Sequence, residues 1–457
     1  MSPLPSAFVD EMNALLGADE AAALCRALEE PACVSLRLNP LKPDVAAPSG
    51  PAVPWCAAGR YLTERPAFTL DPLLHAGCYY VQEASSMFIE QAFRQLDAPP
   101  RRVLDLCAAP GGKSTLWRSL MEAGTLLVAN EPVRTRAMVL AENLAKWGQP
   151  DVVVTNALPE GFAALPGFFD VVAADVPCSG EGMFRKDSGA RDEWSAGAPE
   201  RCARLQFEIV RDVWPALREG GFLVYSTCTF NRQEDEDNVA RICEELGAEA
   251  VEVPAAPEWG IAGDTTGRGL PVSHFFPHRA RGEGFFLALL RKTAPAPVAR
   301  DGRRNRRTRP GGVRTELRAA ARWLQGGEDF DLVQPAPDRV AAVRSALADD
   351  VTRVTAAAGA VTAGLPLAEL KGRKLVPAHE LALCPLLAED AFARVELDRP
   401  TALAYLRREA VTLPADVARG FVVATFAGHP LGFLNQLGPR ANNLYPAEWR
   451  IRKQITD

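Results

Sequence analysis

Short apolar runs alternate with amphipathic stretches between residues 100 and 291, a pattern typical of strands that alternate with helices. The apolar runs predict strands at residues 103–107, 125–130, 152–154, 170–174, 222–226 and 284–292. The amphipathic stretches predict helices at residues 113–123, 132–147 and 199–217. Because strand–helix units that repeat in this way build parallel sheets with helices on both faces, we expect an α/β fold.

Weaker patterns flank this central region on both sides. Residues 1–98 predict a smaller N-terminal lobe with two helical segments, a strand at residues 33–39 and a helix from about residue 82 to 93. Residues 313–457 mix helical segments with apolar strands and predict a C-terminal α+β domain. The central domain is therefore placed at residues 99–292.

Residues 293–312 separate the central and C-terminal domains. They have no apolar period, alternate Pro with Ala and end in Pro-Gly-Gly, so we expect an exposed linker. Its arginines are Arg300, Arg303, Arg304, Arg306, Arg307 and Arg309. Two interpretations stay open: these arginines contact phosphate groups in a salt-sensitive way, or they belong to a solvated hinge.

The composition is ordinary for a soluble globular protein, with 457 residues, 47% hydrophobic and 24% charged. The opening stretch MSPLPSAFVDEMNALLG does not resemble a signal peptide, and no run of about 18 apolar residues occurs. We therefore expect a cytoplasmic protein without a membrane span. The ten cysteines lack the paired spacing of metal ligands, which favours a reducing compartment and predicts no metal site.

The net charge of −6 argues weakly against a nucleic-acid partner, but the charge is unevenly distributed. The stretch from Lys292 to the end carries a net charge of +7, and the residues before it carry −13. A basic end is typical of a region that meets a polyanion, and it is equally typical of a solvated tail.

A glycine-rich turn joins the first central strand to the first central helix, with the sequence DLCAAPGGKS from Asp105 to Ser114. Glycine lets the backbone approach a ligand, and a helix N-terminus offers free N–H groups to anionic atoms. A phosphate-binding P-loop is excluded because it needs glycine where Cys107 stands, and the G-x-G-x-x-G dinucleotide fingerprint is absent. A cofactor with a ribose and no pyrophosphate remains, and we expect S-adenosylmethionine.

Glu131 ends the next predicted strand, directly after Asn130. An acidic residue at this place accepts hydrogen bonds from both ribose hydroxyls of a nucleotide-like cofactor. The alternative is an acid that is stabilised by the dipole of the helix that follows.

Two cysteines follow predicted strands, in the stretches from Asp175 to Gly180 (DVPCSG) and from Ser226 to Thr229 (STCT). If both strands run parallel, Cys178, Cys228 and Asp175 meet at the same edge of the sheet as the glycine-rich turn. A thiolate that adds to carbon-6 of cytosine turns carbon-5 into a nucleophile, and a carboxylic group near the ring nitrogen stabilises the added state. Each cysteine taken alone also fits a small buried residue.

These residues resemble the NOL/NOP/Sun family of RNA cytosine-5 methyltransferases over about residues 30 to 292. The motifs that carry the resemblance are CAAPGGK, DVPCSGEGMFRKD and YSTCT, which begin at Cys107, Asp175 and Tyr225. The resemblance implies a class I, Rossmann-like methyltransferase sheet, with Cys228 as the nucleophile and Cys178 as the residue that aids product release.

The resemblance also assigns the other site residues. It implies Asp175 and Lys113 near the target cytosine, and Glu131 on the cofactor ribose. It implies that the motifs RLNP, from Arg37, and QEASS, from Gln82, shape the cleft. The cofactor-binding residues expected are Cys107, Ala108, Ala109, Pro110, Gly111, Gly112, Lys113, Glu131, Asn156 and Asp175.

Longer motifs narrow the resemblance to the RsmF branch, bacterial enzymes that act on 16S ribosomal RNA. They are the extension from Gly180 to Asp187 and two C-terminal segments, from Leu370 to Leu383 and from Gly428 to Pro446. The branch ends in a PUA-like RNA-binding module, so residues 313–457 are expected to hold ribosomal RNA or the 30S subunit. The basic residues Arg440, Arg450, Arg452 and Lys453 fit such a surface, or a solvated tail.

Two positions depart from the family pattern. The family usually has an aspartate after the third strand, near the cofactor adenine, where Leu158 aligns in this chain. Asn156 supplies an amide contact instead, or backbone groups suffice. His274 stands where the family often has arginine.

Rival functions keep parts of this interpretation. The same chemistry could act on transfer RNA or on 23S ribosomal RNA, and a non-catalytic RNA-binding or ribosome-assembly factor could keep the fold. The presence of Asp175, Cys178 and Cys228 argues against the non-catalytic alternative.

Overall fold

An antiparallel three-stranded sheet and four helices form the N-terminal lobe of the computed structural model, which describes residues 2–45, 50–296, 313–438 and 440–452. The elements of the lobe are α1 (Ser6–Leu16), α2 (Ala18–Glu29), β1 (Val34–Leu38), β2 (Gly59–Leu62), α3 (Pro72–His75), β3 (Tyr79–Tyr80) and α4 (Ile89–Phe93). The sheet order is β2-β1-β3.

The helix predicted at residues 82–93 is shorter than expected. A 3-10 turn covers Ser85–Phe88, and α4 begins only at Ile89. The side chain of Glu83 accepts hydrogen bonds from the backbone N–H groups of Ser85 and Ser86, at 2.9 and 3.0 Å. These local bonds compete with the α-helical pattern, and so the helix starts late.

The central region alternates strands and helices as predicted. Its elements are β4 (Arg102–Asp105), α5 (Gly112–Leu120), β5 (Leu126–Asn130), α6 (Arg134–Trp147), β6 (Val152–Thr155), β7 (Phe169–Asp175), α7 (Ser188–Glu193), α8 (Ala198–Val213), β8 (Leu217–Thr227), α9 (Glu236–Leu246), β9 (Ala248–Val251), β10 (Val272–Phe275) and β11 (Phe285–Lys292).

The C-terminal region adds two four-stranded sheets. Its elements are α10 (Thr315–Arg318), β12 (Phe330–Ala336), β13 (Arg339–Arg344), α11 (Ala348–Ala358), β14 (Thr362–Ala363), β15 (Leu365–Lys371), β16 (Lys374–Pro377), α12 (His379–Leu383), β17 (Ala393–Glu396), α13 (Arg399–Leu406), β18 (Gly420–Phe426), β19 (His429–Gln436) and β20 (Ala441–Asn443). One sheet has the order β12-β13-β15-β16, and the other β17-β18-β19-β20.

The central sheet is mixed and has the order β10-β11-β8-β7-β4-β5-β6-β14, with β9 paired to β11. Strands β4 to β8 run parallel, whereas β9, β10, β11 and β14 pair in the antiparallel direction. The predicted α/β fold is confirmed, but the expectation of a parallel sheet is wrong at both edges. Strand β11 returns beside β8 in the opposite direction, an arrangement that is common at the edge of doubly wound sheets.

The C-terminal region completes the central sheet and its core. Strand β14 pairs with β6, with Thr362 opposite Val154. Val351 and Val354 of α11 join the apolar core that lies on one face of the sheet. An ion pair between Arg344 and the buried Asp151, at 3.1 Å, ties the same two regions together. The apolar core therefore extends across the boundary that the sequence predicted.

Two expectations concern residues or properties outside this description. The predicted basic linker at residues 293–312 lies outside the described residues from position 297 onward, and so does Lys453. Among the described residues, no helix is both long enough and apolar enough to cross a membrane.

Candidate active site

The glycine-rich turn after β4 is held against two neighbouring elements. Gly111 is the N-cap residue, directly before the first residue of α5. Its φ is +115°, a backbone conformation that favours glycine. A Cβ added at Gly112 would lie 3.2 Å from the ring of Tyr80, so the turn packs closely on the N-terminal lobe. The N–H of Ala108 donates to the carbonyl of Asn130, at 2.8 Å. The turn is thus fixed between the lobe and the end of β5.

Arg37 joins the N-terminal lobe to this turn. Its fully buried guanidinium donates to Gln82 Oε1 at 2.8 Å, to the carbonyl of Gly112 at 3.1 Å and to Thr115 Oγ1 at 2.6 Å. It also stacks over the ring of Trp147, 4.6 Å from the centroid. Burial among these neutral partners lowers the pKa of Arg37 to about 10. The RLNP and QEASS motifs therefore meet at the start of α5.

Lys113 and Asp175 form an ion pair where α5 faces the end of β7. Lys113 Nζ lies 2.7 Å from Asp175 Oδ2, and Ser226 Oγ donates to Asp175 Oδ1 at 2.9 Å. Burial lowers the pKa of Lys113, but the charge and the hydrogen bond of Asp175, together with weaker charge effects from neighbouring groups, raise the net pKa above its usual value. The two side chains are 23% and 31% exposed, so the charged pair remains open to a ligand.

Cys178 and Cys228 meet at the carboxyl ends of β7 and β8. The two strands are parallel and place Asp175 opposite Ser226. Three residues beyond Asp175, Cys178 Sγ lies 2.8 Å from Cys228 Sγ. The N–H of Cys228 also donates to Cys178 Sγ, at 3.4 Å. The two thiols and the carboxylate thus lie together at one edge of the sheet, where the strand pattern places them.

The two thiols are not equivalent. The hydrogen bond to the sulfur of Cys228 raises the pKa of Cys178 well above its usual range, and burial adds to this effect. Cys178 therefore retains its proton. A thiol that keeps its proton is not the nucleophilic form of cysteine, which is the thiolate.

A cleft of about 480 Å³ opens beside these groups. Its lining residues come from the N-terminal lobe, the glycine-rich turn and the loop after Cys178, and are Cys33, Val34, Ser35, Arg65, Tyr80, Val81, Gln82, Glu83, Ser86, Cys107, Ala108, Ala109, Pro110, Gly112, Lys113, Asp175, Met183 and Lys186. Most of the predicted glycine-rich turn lines the cleft, together with Lys113 and Asp175. Cys178, Cys228, Glu131 and Asn156 are not among the residues that line it.

Glu131 follows β5 and is 1% exposed. Its Oε1 accepts a hydrogen bond from the N–H of Val133 at 2.9 Å, and its Oε2 lies 3.4 Å from the exposed guanidinium of Arg136. A buried carboxylate that is paired with an exposed arginine fits an acceptor for ribose hydroxyls. With the glycine-rich turn and the cleft, it makes the residues present compatible with S-adenosylmethionine.

Asn156 is tied to the backbone beside Glu131. Its Nδ2 donates to the carbonyls of Glu131 and Pro132, at 2.7 and 2.8 Å. Leu158, at the position where the family usually has an acid, is 60% exposed. The predicted contact of Asn156 with the cofactor adenine stays a prediction.

His274, the second departure from the family pattern, lies in β10 at 1% exposure. Its Nε2 is 2.9 Å from Glu236 Oε1, and its ring stacks on Phe276 with 5.3 Å between centroids. These contacts give it a packing role at the edge of the sheet. Elsewhere on the surface, Arg440, Arg450 and Arg452 are exposed.

Several residues at the site were not foreseen. Ser226 was named only as part of a motif, although its register opposite Asp175 follows once the two strands are known to pair. Glu181 and Glu234, both fully buried behind the sulfurs, stand in polar stretches that read as solvated. Met183 and Lys186 line the cleft from the loop after Cys178. Apart from Ser226, which lies in β8, these residues follow the strands. No hydrophobic period marks their positions, because the segments that carry them are irregular.

No arrangement of three or more His, Cys, Asp or Glu side chains suited to a metal ion occurs in the part of the chain that the structure describes.

Family models match three segments of the chain. The model described as 16S rRNA methyltransferase RsmB/F matches residues 96–291. The model of the N-terminal domain of 16S rRNA methyltransferase RsmF matches residues 4–84, and the model of the RsmF PUA domain matches residues 392–451. The last match falls on the sheet formed by β17 to β20.

Curated relatives match almost the whole length. The ribosomal RNA small subunit methyltransferase F of Cronobacter sakazakii is 33% identical, over 97% of this chain and 96% of the relative. The protein of the same name from Citrobacter koseri is 34% identical, over the same shares of both chains.

A solved structure of a methyltransferase homologue from Pyrococcus horikoshii is 26% identical, with a TM-score of 0.55 over 63% of this chain and 95% of that one. NSun6 from the same organism, at 20% identity and a TM-score of 0.55, shares the fold over 64% of this chain and 99% of its own. The resemblance to the NOL/NOP/Sun family and its RsmF branch is confirmed. With relatives above 30% identity over nearly its full length, the chain belongs to the RsmB/F family of 16S rRNA methyltransferases.

Proposed function

We propose that this chain transfers a methyl group from S-adenosylmethionine to carbon-5 of a cytosine in 16S ribosomal RNA, through a covalent bond between Cys228 and carbon-6 of the base. The observation that carries the proposal is the 2.8 Å approach of the Cys178 and Cys228 sulfurs at the carboxyl ends of β7 and β8. Asp175 is on the same edge and faces the cleft. Two thiols in these places are what addition and subsequent elimination require.

The first half of the reaction uses Cys228, Asp175 and Lys113. Carbon-5 of cytosine is a weak nucleophile, and the thiolate of Cys228 activates it by adding to carbon-6 and making an enamine. Asp175 supports the ring nitrogen, and the Lys113 ammonium at 2.7 Å orients that carboxyl group. The base must leave its stack to reach the cleft, because both ring carbons are inaccessible within stacked RNA. S-adenosylmethionine, when bound, supplies the electrophilic methyl group.

The second half releases the product. A base or water removes the proton from carbon-5, the carbon-6–sulfur bond breaks, and Cys228 leaves as a thiolate. Cys178 stays protonated and close to that sulfur, so its thiol donates a hydrogen bond to the departing thiolate. This contact is the basis for the release role that we assign to Cys178.

The cofactor is placed on the glycine-rich turn. The stretch from Cys107 to Gly112 would follow its methionine part, and the buried Glu131 would accept the ribose hydroxyls. Asn156 uses its amide nitrogen on two backbone carbonyls, so its side-chain oxygen is the group that we assign to the adenine. Placement at the carboxyl ends of the strands agrees with the general rule for open α/β sheets.

The substrate assignment is supported by the names of the relatives, the match to a PUA domain and the exposed arginines of the C-terminal region. We infer that the protein acts in the cytoplasm on 16S ribosomal RNA, either free or within the small subunit. Salt-sensitive binding of RNA is expected, because exposed arginines contact phosphates.

The nucleophile is tested with the variant Cys228→Ala, using labelled S-adenosylmethionine and 16S ribosomal RNA. The substitution removes the sulfur that we propose to form the bond to carbon-6, so methyl transfer should fall by at least about 1,000-fold. Cys243→Ala, a substitution in α9 on the far side of β8, is the matched control and should remain active. Full methylation by Cys228→Ala would overturn the proposal.

The substrate is tested with the wild-type protein. Bisulfite sequencing after incubation with free 16S RNA, small subunits, 23S RNA or transfer RNA should find 5-methylcytosine in one of the first two alone. Methylation confined to 23S RNA or transfer RNA would keep the chemistry and reject the substrate. Failure to bind S-adenosylmethionine in a calorimetric titration would favour a non-catalytic RNA-binding protein.

A further inference from the structure

A buried carboxylate lies behind the two cysteines and has no part in the chemistry above. Glu234 stands in the loop between β8 and α9, six residues after Cys228, and its exposure is 0%. A carboxylate without solvent is costly unless hydrogen bonds satisfy its oxygens. The partners of those oxygens therefore indicate why the residue is an acid.

On one side, Glu234 holds the loop that carries Cys178. Its Oε2 accepts a hydrogen bond from the backbone N–H of Ser179 at 3.0 Å. The same oxygen accepts from Gln206 Nε2 at 2.6 Å, and that nitrogen also donates to the carbonyl of Pro177 at 3.0 Å. The residues before and after Cys178 are thus both tied to one carboxylate.

On the other side, Glu234 holds the loop that carries Cys228. Its Oε1 accepts from Asn231 Nδ2 at 2.8 Å, and its own N–H donates to Asn231 Oδ1 at 3.0 Å. Tyr225, in the strand that leads to Cys228, donates its hydroxyl to the carbonyl of Glu234 at 2.6 Å. Through its carboxylate and its own backbone, Glu234 therefore connects the loops that carry the two sulfurs.

The carboxylate accepts hydrogen bonds from neutral N–H groups of Ser179, Gln206 and Asn231. A glutamine in the same place would turn an NH₂ group toward at least one of these donors, so that donor would face donor. The position therefore requires two accepting oxygens. Glutamine has nearly the same size as glutamate but lacks the second accepting oxygen. A functional difference between the two residues therefore shows that Glu234 positions the loops and does not merely fill space.

We propose that Glu234 is a positioning residue that sets the separation of the Cys178 and Cys228 sulfurs, and thereby the rate at which the methylated RNA is released. The inference rests on the release role proposed for Cys178. Glu234 does not touch the cleft, and it acts through the N–H of Ser179 and the side chain of Asn231. Release is the sensitive step, because Cys178 acts on the departing sulfur across a contact of 2.8 Å.

The test uses Glu234→Gln, with Glu208→Gln on the exposed face of α8 as the control. We expect single-turnover methyl transfer to stay within about threefold of wild type, and steady-state kcat to fall on the order of tenfold to a hundredfold. The KM for RNA should stay within about twofold. A covalent protein–RNA adduct should accumulate on denaturing gels, as expected for Cys178→Ala. Glu208→Gln should show none of these changes.

A double variant then separates positioning from general loss of stability. If Glu234 acts through Cys178, adding Glu234→Gln to Cys178→Ala should change neither kcat nor the amount of adduct further. Additive losses, or a slow Glu234→Gln variant without adduct, would overturn the inference. Should Glu234→Gln fail to fold, the shorter Glu234→Asp, which keeps the accepting oxygens, takes its place under the same criteria. If Cys228→Ala is active, the proposed function itself has failed, and this result is distinct from those outcomes.

Discussion

The ion pair and the pair of thiols lie side by side at one edge of the sheet, yet different interactions hold them. Lys113 and Asp175 are partly exposed, and charge attraction joins them directly across the cleft. Cys178 and Cys228 are positioned from behind, by neutral hydrogen bonds to the fully buried Glu234. The charged pair beside the base remains open, whereas the two sulfurs, whose separation matters for the reaction, depend on buried anchors.

The two arrangements also differ in energy. A partly exposed ion pair contributes only about 0–1 kcal/mol to stability, so Lys113 and Asp175 are free to exchange partners with a ligand. Buried carboxylates without a cationic partner disfavour folding, because their charged form loses its hydration. The chain retains Glu234 despite this effect. The comparison indicates that function, rather than stability, explains the acids behind the sulfurs.

Apart from loss of the nucleophile itself, the largest effect should come from the exposed half of the site. Replacement Asp175→Asn removes the charge beside the base and should lower kcat by roughly 100- to 1,000-fold. The melting temperature should change little, because the ion pair is partly exposed. Asp212→Asn, in an exposed pair with Arg211, is the control. If Asp175→Asn instead lowered the melting temperature strongly and left kcat unchanged, the ion pair would serve stability and not catalysis, which would contradict the comparison.

The buried half should reveal itself through pH. Burial raises the pKa of Glu234 from 4.5 to about 7. Between these values the folded protein holds a proton that the unfolded chain has lost. The contribution of Glu234 to stability is therefore fully present below about pH 4.5 and is lost as the pH rises to about 7, by at most about 3 kcal/mol.

Urea unfolding of wild type and Glu234→Gln across this range measures the effect. The wild-type free energy of unfolding should decrease relative to that of the variant as the pH rises. Asp105, whose pKa burial also raises to about 7, affects both proteins equally and cancels in the difference. A difference that does not vary with pH would show that Glu234 is already charged when buried.

The smallest expected effects are on the affinity for S-adenosylmethionine, and they should differ between two residues near the proposed cofactor site. Glu131→Gln removes a buried acceptor from the proposed ribose site and should weaken S-adenosylmethionine binding by about tenfold to a hundredfold. Arg136→Ala removes its exposed partner, which is 58% exposed, and should change the affinity less than about fivefold. Isothermal titration calorimetry measures both. Equal effects of the two substitutions would contradict the ribose assignment.

The local sequence determined much of this arrangement. Apolar runs bounded by glycine and polar residues predicted β4 to β8 to within a few residues, except that β8 starts five residues early. The prediction succeeded because a strand buried on both faces must be continuously apolar. Cys178, Cys228 and Asp175 could be placed together for a simple reason: each follows a strand, and parallel strands end at the same edge.

Other features depended on contacts between distant residues. The antiparallel edge of the sheet, the addition of β14 and the burial of Glu181 and Glu234 leave no periodic signal, because loops and edges are selected by what packs against them. Glu234 stands in an acidic stretch, QEDEDN, that is typical of a solvated surface. The sequence by itself determined which chemical groups reach the site. Only the tertiary structure decided how far apart these groups are held, because that distance depends on hydrogen bonds between separate loops.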